Sequence, residues 1–201
     1  MARPTGLRER MLQVRHEAII DSVNRLLAER GYDTMTVDEV AADVGIAKAS
    51  LYKHFPSKEA LAAAAMVRTL ERAKAVIVEQ PPERRAVDRL RAVTRWAIER
   101  QLGGEMPALP SQNSTLRAEL LAHKPYLDEL FEVSDRLGAW IVEAQAAGDI
   151  DPKLPPEVVL YTIYARACDP VPGVLKAGGQ HADARIVDWT LDICMNGLRP
   201  T

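Results

Sequence analysis

Thr36-Val-Asp-Glu-Val-Ala-Ala-Asp-Val-Gly-Ile-Ala-Lys-Ala-Ser-Leu-Tyr-Lys-His-Phe55 is the stretch whose reading decides the fold. It opens on Thr36-Val-Asp-Glu39, the pattern of a capping box. The Thr36 hydroxyl accepts from a first-turn N–H, and the Glu39 carboxylate reaches back to the N–H of the cap. Asp38 and Glu39 also suit the positive end of a helix dipole. The helix that starts there is short, turns Val37, Val40, Ala41 and Val44 inward, and ends at Gly45. A second helix is predicted over residues 47–55. Leu51 and Phe55 lie one turn apart and face the core. The 3.6-residue period then points Ala49, Ser50, Tyr52 and Lys53 away from it, with Lys48 and His54 on the flanks. Pro56 stops this helix, and Ser57 caps the next.

Outward from this pair, residues 10–30 carry Ile19, Ile20, Val23, Leu26 and Leu27 as one apolar stripe, and Gly31 stands where a left-handed C-terminal cap belongs. Three helices, the last two short and joined by a glycine turn, with a basic and aromatic outer face, are the helix-turn-helix plan. A long helix is predicted over 58–79 and broken by Pro81-Pro82. Another follows over 83–102, with Leu90, Val93, Thr94, Ala97 and Gln101 on one face. Gly103-Gly104 and residues 107–110 read as a loop, followed by a short helix at 115–123. Pro125 starts a helix that runs to Gly148. Residues 157–168 are apolar nearly all round, which implies burial on more than one side. Pro170, Val171, Pro172 and Gly173 read as an interruption before a last helix over 183–198. No internal repeat and no sustained strand-like alternation appear. The fold class is all-α: an N-terminal helix-turn-helix head, residues 1–56, and a C-terminal helical bundle, residues 57–201, linked through the fourth helix.

Composition narrows the classes. Of 201 residues, 47% are hydrophobic, 27% charged and only 5% aromatic, which favours a globular helical protein. The longest apolar run, residues 60–67, is far too short for a membrane span. No apolar segment follows the N-terminal arginines as in a signal peptide, so the expected location is cytoplasmic. The net charge is −2, and residues 1–56 hold eight basic groups against eight acidic ones. Affinity for nucleic acid must therefore rest on where charges sit and not on a bulk field. Four arginines, Arg3 to Arg15, oppose only Glu9, in what reads as a solvated arm. A second basic group, Lys48, Lys53 and Lys58 with His54, gathers around the short third helix. Cys168 and Cys194 give neither a disulfide framework nor zinc spacing. His16, His54, His123 and His181 are scattered. No glycine-rich phosphate loop, nucleophile elbow or paired-carboxylate signature is present, so an enzyme is the remote reading and no metal or cofactor is expected.

The stretch from Thr36 to Leu61, with the preceding Gly31-Tyr-Asp-Thr-Met35, closely resembles the signature of tetracycline-repressor (TetR) family regulators over roughly the first third of the chain. More loosely, Ala147-Gly-Asp-Ile-Asp-Pro152 followed by an apolar helix resembles that family's C-terminal domain. The resemblance implies that Lys48, Ala49, Tyr52 and Lys53 approach base edges in the major groove, and that Thr36, Tyr52, His54 and Lys58 grip phosphates. With Ala49 and Ser50 so small, Lys53 is the favoured base reader, to guanine O6 or N7. Ala47 departs from the pattern: many members place Ser or Thr there, where it caps the third helix.

The resemblance also implies a homodimer, a double-stranded palindromic operator and a small-molecule effector enclosed by helices four to seven. Val158, Tyr161 and Tyr164 on the eighth helix, with Ile186, Trp189 and Ile193 on the last, fit a dimer interface. Thr94, Trp96, Gln101, Tyr126, Ser134 and Trp140 are the candidate lining of an effector pocket, although each taken singly also reads as core or surface. Few charges stand among them, so a mostly apolar effector fits. Arg166 is the exception, and an interface ion pair explains it as well. A ligand-responsive repressor is the leading function. A DNA-binding regulator controlled by a protein partner stays open beside it.

Overall fold

A computed structural model describes residues 6–107 and 115–200. Among these there are ten helices: α1 Leu7–Thr34, α2 Val37–Val44, α3 Lys48–Leu51, α4 Lys58–Val78, α5 Ala86–Leu102, α6 Thr115–Ala122, α7 Lys124–Ala146, α8 Pro156–Arg166, α9 Pro170–Ala177 and α10 Asp183–Asn196. Arg3 of the predicted arm and most of the predicted loop at 107–110 lie outside the described residues. The all-α reading is borne out.

Several boundaries differ from the expectation for local reasons. At Gly31 the backbone turns to φ 74, ψ 170, which only glycine adopts easily, but the chain then resumes one more helical turn to Thr34. The glycine is therefore a kink, not the end of α1. The third helix is α-helical only from Lys48 to Leu51, after which tighter bonds take over, such as His54 N–H to the Leu51 carbonyl at 2.9 Å. That winding still carries the chain to Phe55. α5 starts at Ala86 and not at Glu83, with no side-chain cap. Residues 170–173, read as an interruption, instead start α9. Its prolines fall in the first turn, where no N–H is needed, and the Asp169 carboxylate caps it by accepting from Val171 N–H at 3.0 Å.

Two cores organise the chain. The first gathers Ile19, Val23 and Leu27 of α1, Val37 and Val40 of α2, Leu51, Phe55, and Leu61 to Met66 of α4. It also draws in Leu116 and Leu120 of α6, so α4 and α6 belong to the packing of the head as well as to the bundle. The second joins Leu90, Val93 and Ile98 of α5 to Leu137 and Ile141 of α7, Val159 and Ile163 of α8, and Ile186, Val187 and Leu191 of α10. Ion pairs fasten the surfaces between helices: Asp21 to Arg72 at 2.6 Å, and Lys74 to Glu129 and Glu132 at 2.6 and 3.1 Å.

Candidate nucleic-acid interface and effector region

The head is built as the capping argument requires. Thr36 Oγ1 accepts from Glu39 N–H at 3.2 Å, and Thr36 N–H donates to the Glu39 carboxylate at 2.9 Å. That carboxylate also meets Arg30, and its hydrogen bonds from Thr36 hold it below the usual range, so it stays ionised. Gly45 takes the left-handed conformation (φ 70, ψ 35), which lets Ile46 N–H reach back to the Ala41 carbonyl at 3.0 Å. The chain can then turn sharply into α3. Leu51 is fully buried and Phe55 nearly so, whereas Lys48, Ala49, Tyr52 and Lys53 are exposed and Ser50 and His54 half-exposed. The structure thus leaves these side chains of the third helix and the turn after it accessible.

Their present partners differ. Lys48 donates to Asp38 at 2.8 Å, an exposed pair that a phosphate or base can replace. Lys58 lies 4.4 Å over the Tyr32 ring and donates to the Asp33 carbonyl at 3.4 Å, so it also ties α4 to the end of α1. Ala47 is extended (φ −68, ψ 139) and supplies no side-chain cap. Replacing it with Ser is therefore expected to stabilise the head by about 1 kcal/mol. The melting temperature followed by circular dichroism should rise by about 2–4 °C; an unchanged or lower value would contradict the assigned cap position.

Sequence reading missed the joint between head and bundle. Tyr32 at the end of α1 donates to Glu59 at 2.7 Å, and Thr115 at the start of α6 donates to the same oxygen at 3.2 Å. Burial pushes the Tyr32 phenol up to about 12, so it remains a donor, and the bond from Tyr32 holds Glu59 below the usual carboxylate range. These three residues are far apart in sequence, and no periodic signal joins them. In the sequence His16 is likewise one scattered histidine. In the fold its ring stacks on Phe55 at 4.9 Å and lies 6.5 Å from that of His54.

The proposed effector residues divide between the two cores. Tyr126 packs on the head core and Trp140 on the other, as does Tyr164 of the expected interface. Ser134 and Tyr164 share a hydrogen bond of 2.8 Å. Burial raises both the Tyr126 and Tyr164 phenols. Gln101 donates to the Asp169 carbonyl at 2.9 Å, while its own amide oxygen is buried without a partner. Trp96 is half-buried. Trp140 is taken up by Arg89, whose guanidinium sits 4.8 Å over the indole and pairs with Glu143 at 2.6 Å. Thr94 is a correction: it is wholly buried and its hydroxyl donates to the Leu90 carbonyl of its own helix at 2.8 Å, so its one donor is already used. Three surface clefts, of about 630, 490 and 130 Å³, are lined by other residues.

On the expected interface, α8 buries only Val159 and Ile163 within the protomer. Val158 is 48% exposed, Tyr161 69%, Trp189 38% and Ile193 74%. Within the single protomer α8 is thus buried on one side only. Ile186 is a second correction, because it is fully buried in the protomer's own core and faces no partner.

Among the described residues no helix is long and apolar enough to cross a membrane, and no cluster of three metal-ligating side chains occurs. The family model described as bacterial regulatory proteins, tetR family, matches residues 19–65. The biofilm operon icaADBC HTH-type negative transcriptional regulator IcaR of Staphylococcus aureus (strain Newman) is 49% identical over 45 residues, which are 22% of this chain and 24% of that protein. The match thus spans about a quarter of that relative's length. Solved structures are similar over nearly the whole chain. The regulator FadR from Bacillus subtilis, in complex with stearoyl-CoA, gives a TM-score of 0.64 at 19% identity, over 91% of this chain and 99% of its own. AibR, in complex with isovaleryl coenzyme A and operator DNA, gives 0.59 at 21% identity, over 89% and 97%. IcaR and FadR are named as regulators of transcription.

Proposed function

We propose that this chain, which belongs to the TetR family of bacterial transcriptional regulators, is a repressor that binds a palindromic operator as a homodimer and is released by a small, mostly apolar effector. One observation carries the DNA-reading part. The third helix is pinned by Leu51 and Phe55 beneath, which leaves Lys48, Ala49, Tyr52 and Lys53 together on its outer side. In this reading residues 1–56 form the head, residues 57–201 bind effector and partner, and α4 joins them. Lys53 reads a guanine, Lys48, Ala49, Ser50 and Tyr52 lie against neighbouring bases, and Thr36, Tyr52, His54 and Lys58 hold phosphates. The partner protomer covers Val158, Tyr161, Trp189 and Ile193, with Tyr164 at the edge.

Effector binding is supported by polar groups on α5 and α7, Gln101, Tyr126 and Ser134, flanked by Trp96 and Trp140. Only the acyl chains of the FadR and AibR ligands match these apolar surroundings; acyl-coenzyme A is the class to try first, and its phosphates would need basic groups beyond these residues. A ligand that fits should raise the melting temperature and release DNA together. Stabilisation without release argues against an inducer.

The role assignment is testable. Lys53→Ala is expected to relax preference at one base pair by about 1–3 kcal/mol. Lys58→Ala should weaken binding evenly across sequences and lower the salt slope by about one. Gel-shift competition on mismatched operators separates the two. Identical behaviour of both variants would contradict the roles.

A further inference from the structure

The N-terminal part of α1 projects past the head, and residues 9–15 are all exposed. Between this projection and the turn after α3 lies an open cleft of about 630 Å³, lined by Glu9, Arg10, Leu12, Gln13, His16 and His54. Its donors are a guanidinium, an amide and two imidazoles. The ring of His16 is steadied by its stack on the buried Phe55. His54 follows Lys53 directly, so the cleft borders the surface assigned to base reading.

We propose that this cleft holds a backbone phosphate of the operator, with His16, His54 and Arg10 as its ligands, at the edge of the surface formed by α3. The inference rests on the DNA-reading function above. The charged groups facing His16 are Glu9, Arg10 and Glu17 on its own helix and His54 across the cleft. Glu9 accepts from the Gly6 N–H at 3.2 Å and Glu17 from the Gln13 amide at 3.0 Å, so both carboxylates have partners on α1. A charged His16 ring faces the His54 ring at 6.5 Å, and an anion between the two favours the charged form of His16. Without DNA, burial first and the neighbouring His54 second hold His16 below the ordinary histidine value. A phosphate reverses the balance and raises it, so binding takes up a proton and affinity grows as pH falls through the window between the free and bound values.

The test uses the full chain and a duplex that it selects from a randomised library. For the unaltered protein, binding should tighten about fivefold from about pH 8 to about pH 6, since one pKa unit of upward shift gives its full tenfold only well below the free value. In His16→Gln the change should fall below about twofold. Arg10→Gln, at an exposed position that cannot unfold the head, should keep the pH dependence and lose about one from the salt slope. A His16→Gln profile parallel to that of the unaltered protein, or an Arg10→Gln salt slope unchanged, overturns the site. So does a His16 ring signal that titrates as strongly with inorganic phosphate as with the duplex, since that marks a general anion pocket. Failure to select any duplex would instead strike at the DNA-reading function itself.

Discussion

Leu51→Ala is expected to destabilise the chain by about 3 kcal/mol and to remove operator binding almost entirely. Leu51 is the one side chain of α3 with no exposure at all, and it sits in the core with Val40, Phe55 and Leu61. α3 proper has only four residues, with no cap at Ala47, so nothing local holds it. Burial of Leu51 and Phe55 does, and truncation leaves a cavity that so short a helix can close only by moving. For a chain of this size the loss corresponds to a fall of about 6–12 °C in melting temperature. A calorimetric or circular-dichroism melt checks the first part, and a gel shift the second. Lys53→Ala is the control, expected to leave the melt within about 0.5 kcal/mol of the unaltered protein. A Leu51→Ala protein that melts normally and binds DNA would show that α3 is held by something other than its core residues.

Ile193→Asp combined with Tyr161→Asp is expected to give a folded monomer whose operator affinity falls by a factor of about 10² to 10⁴. The expectation follows from exposure. In the protomer Ile193 is 74% exposed and Tyr161 69%, so an aspartate at either position meets water and costs the isolated chain little. Against a partner surface the same carboxylates are buried without counter-charges, which costs far more than the lost apolar contact. A monomer grips a single half-site and forfeits the effective concentration that the linked second head supplies. Light scattering gives the mass, and circular dichroism confirms that the helices persist. A double variant that stays dimeric would place the interface elsewhere on the bundle.

Local chemistry explains how much was legible in advance. Thr36, Glu39, Gly45, Ser57 and Pro56 act within a turn of themselves, and each does in the fold what its type requires. The inward set Val37, Val40, Leu51 and Phe55 follows from the 3.6-residue period, which fixes the outward set too. The two errors at Gly31 and residues 170–173 share a cause: a residue that breaks helices was read as ending one. Gly31 kinks a helix that resumes, and Pro170 and Pro172 fall in a first turn that Asp169 caps. The interface and pocket were harder, because an apolar side chain on a helix does not declare which neighbour covers it. Ile186 and Ile193 stand seven residues apart on one helix. One is core and the other the most exposed large apolar residue of that helix. The contacts of Tyr32 with Glu59 and of His16 with His54 join segments far apart in the chain. No periodicity reports such pairs; only the folded arrangement does.

The central claim is that two copies of this head read one inverted repeat through α3. Selection of bound duplexes from a randomised library, followed by footprinting of the best of them, tests it most directly. The predicted result is an inverted repeat whose half-sites are centred about 34 Å, one helical turn, apart or a multiple of it, with protection lost at a guanine in each half-site when Lys53 is replaced by Ala. Enrichment of no sequence, or of a single half-site bound as tightly as the repeat, would contradict it.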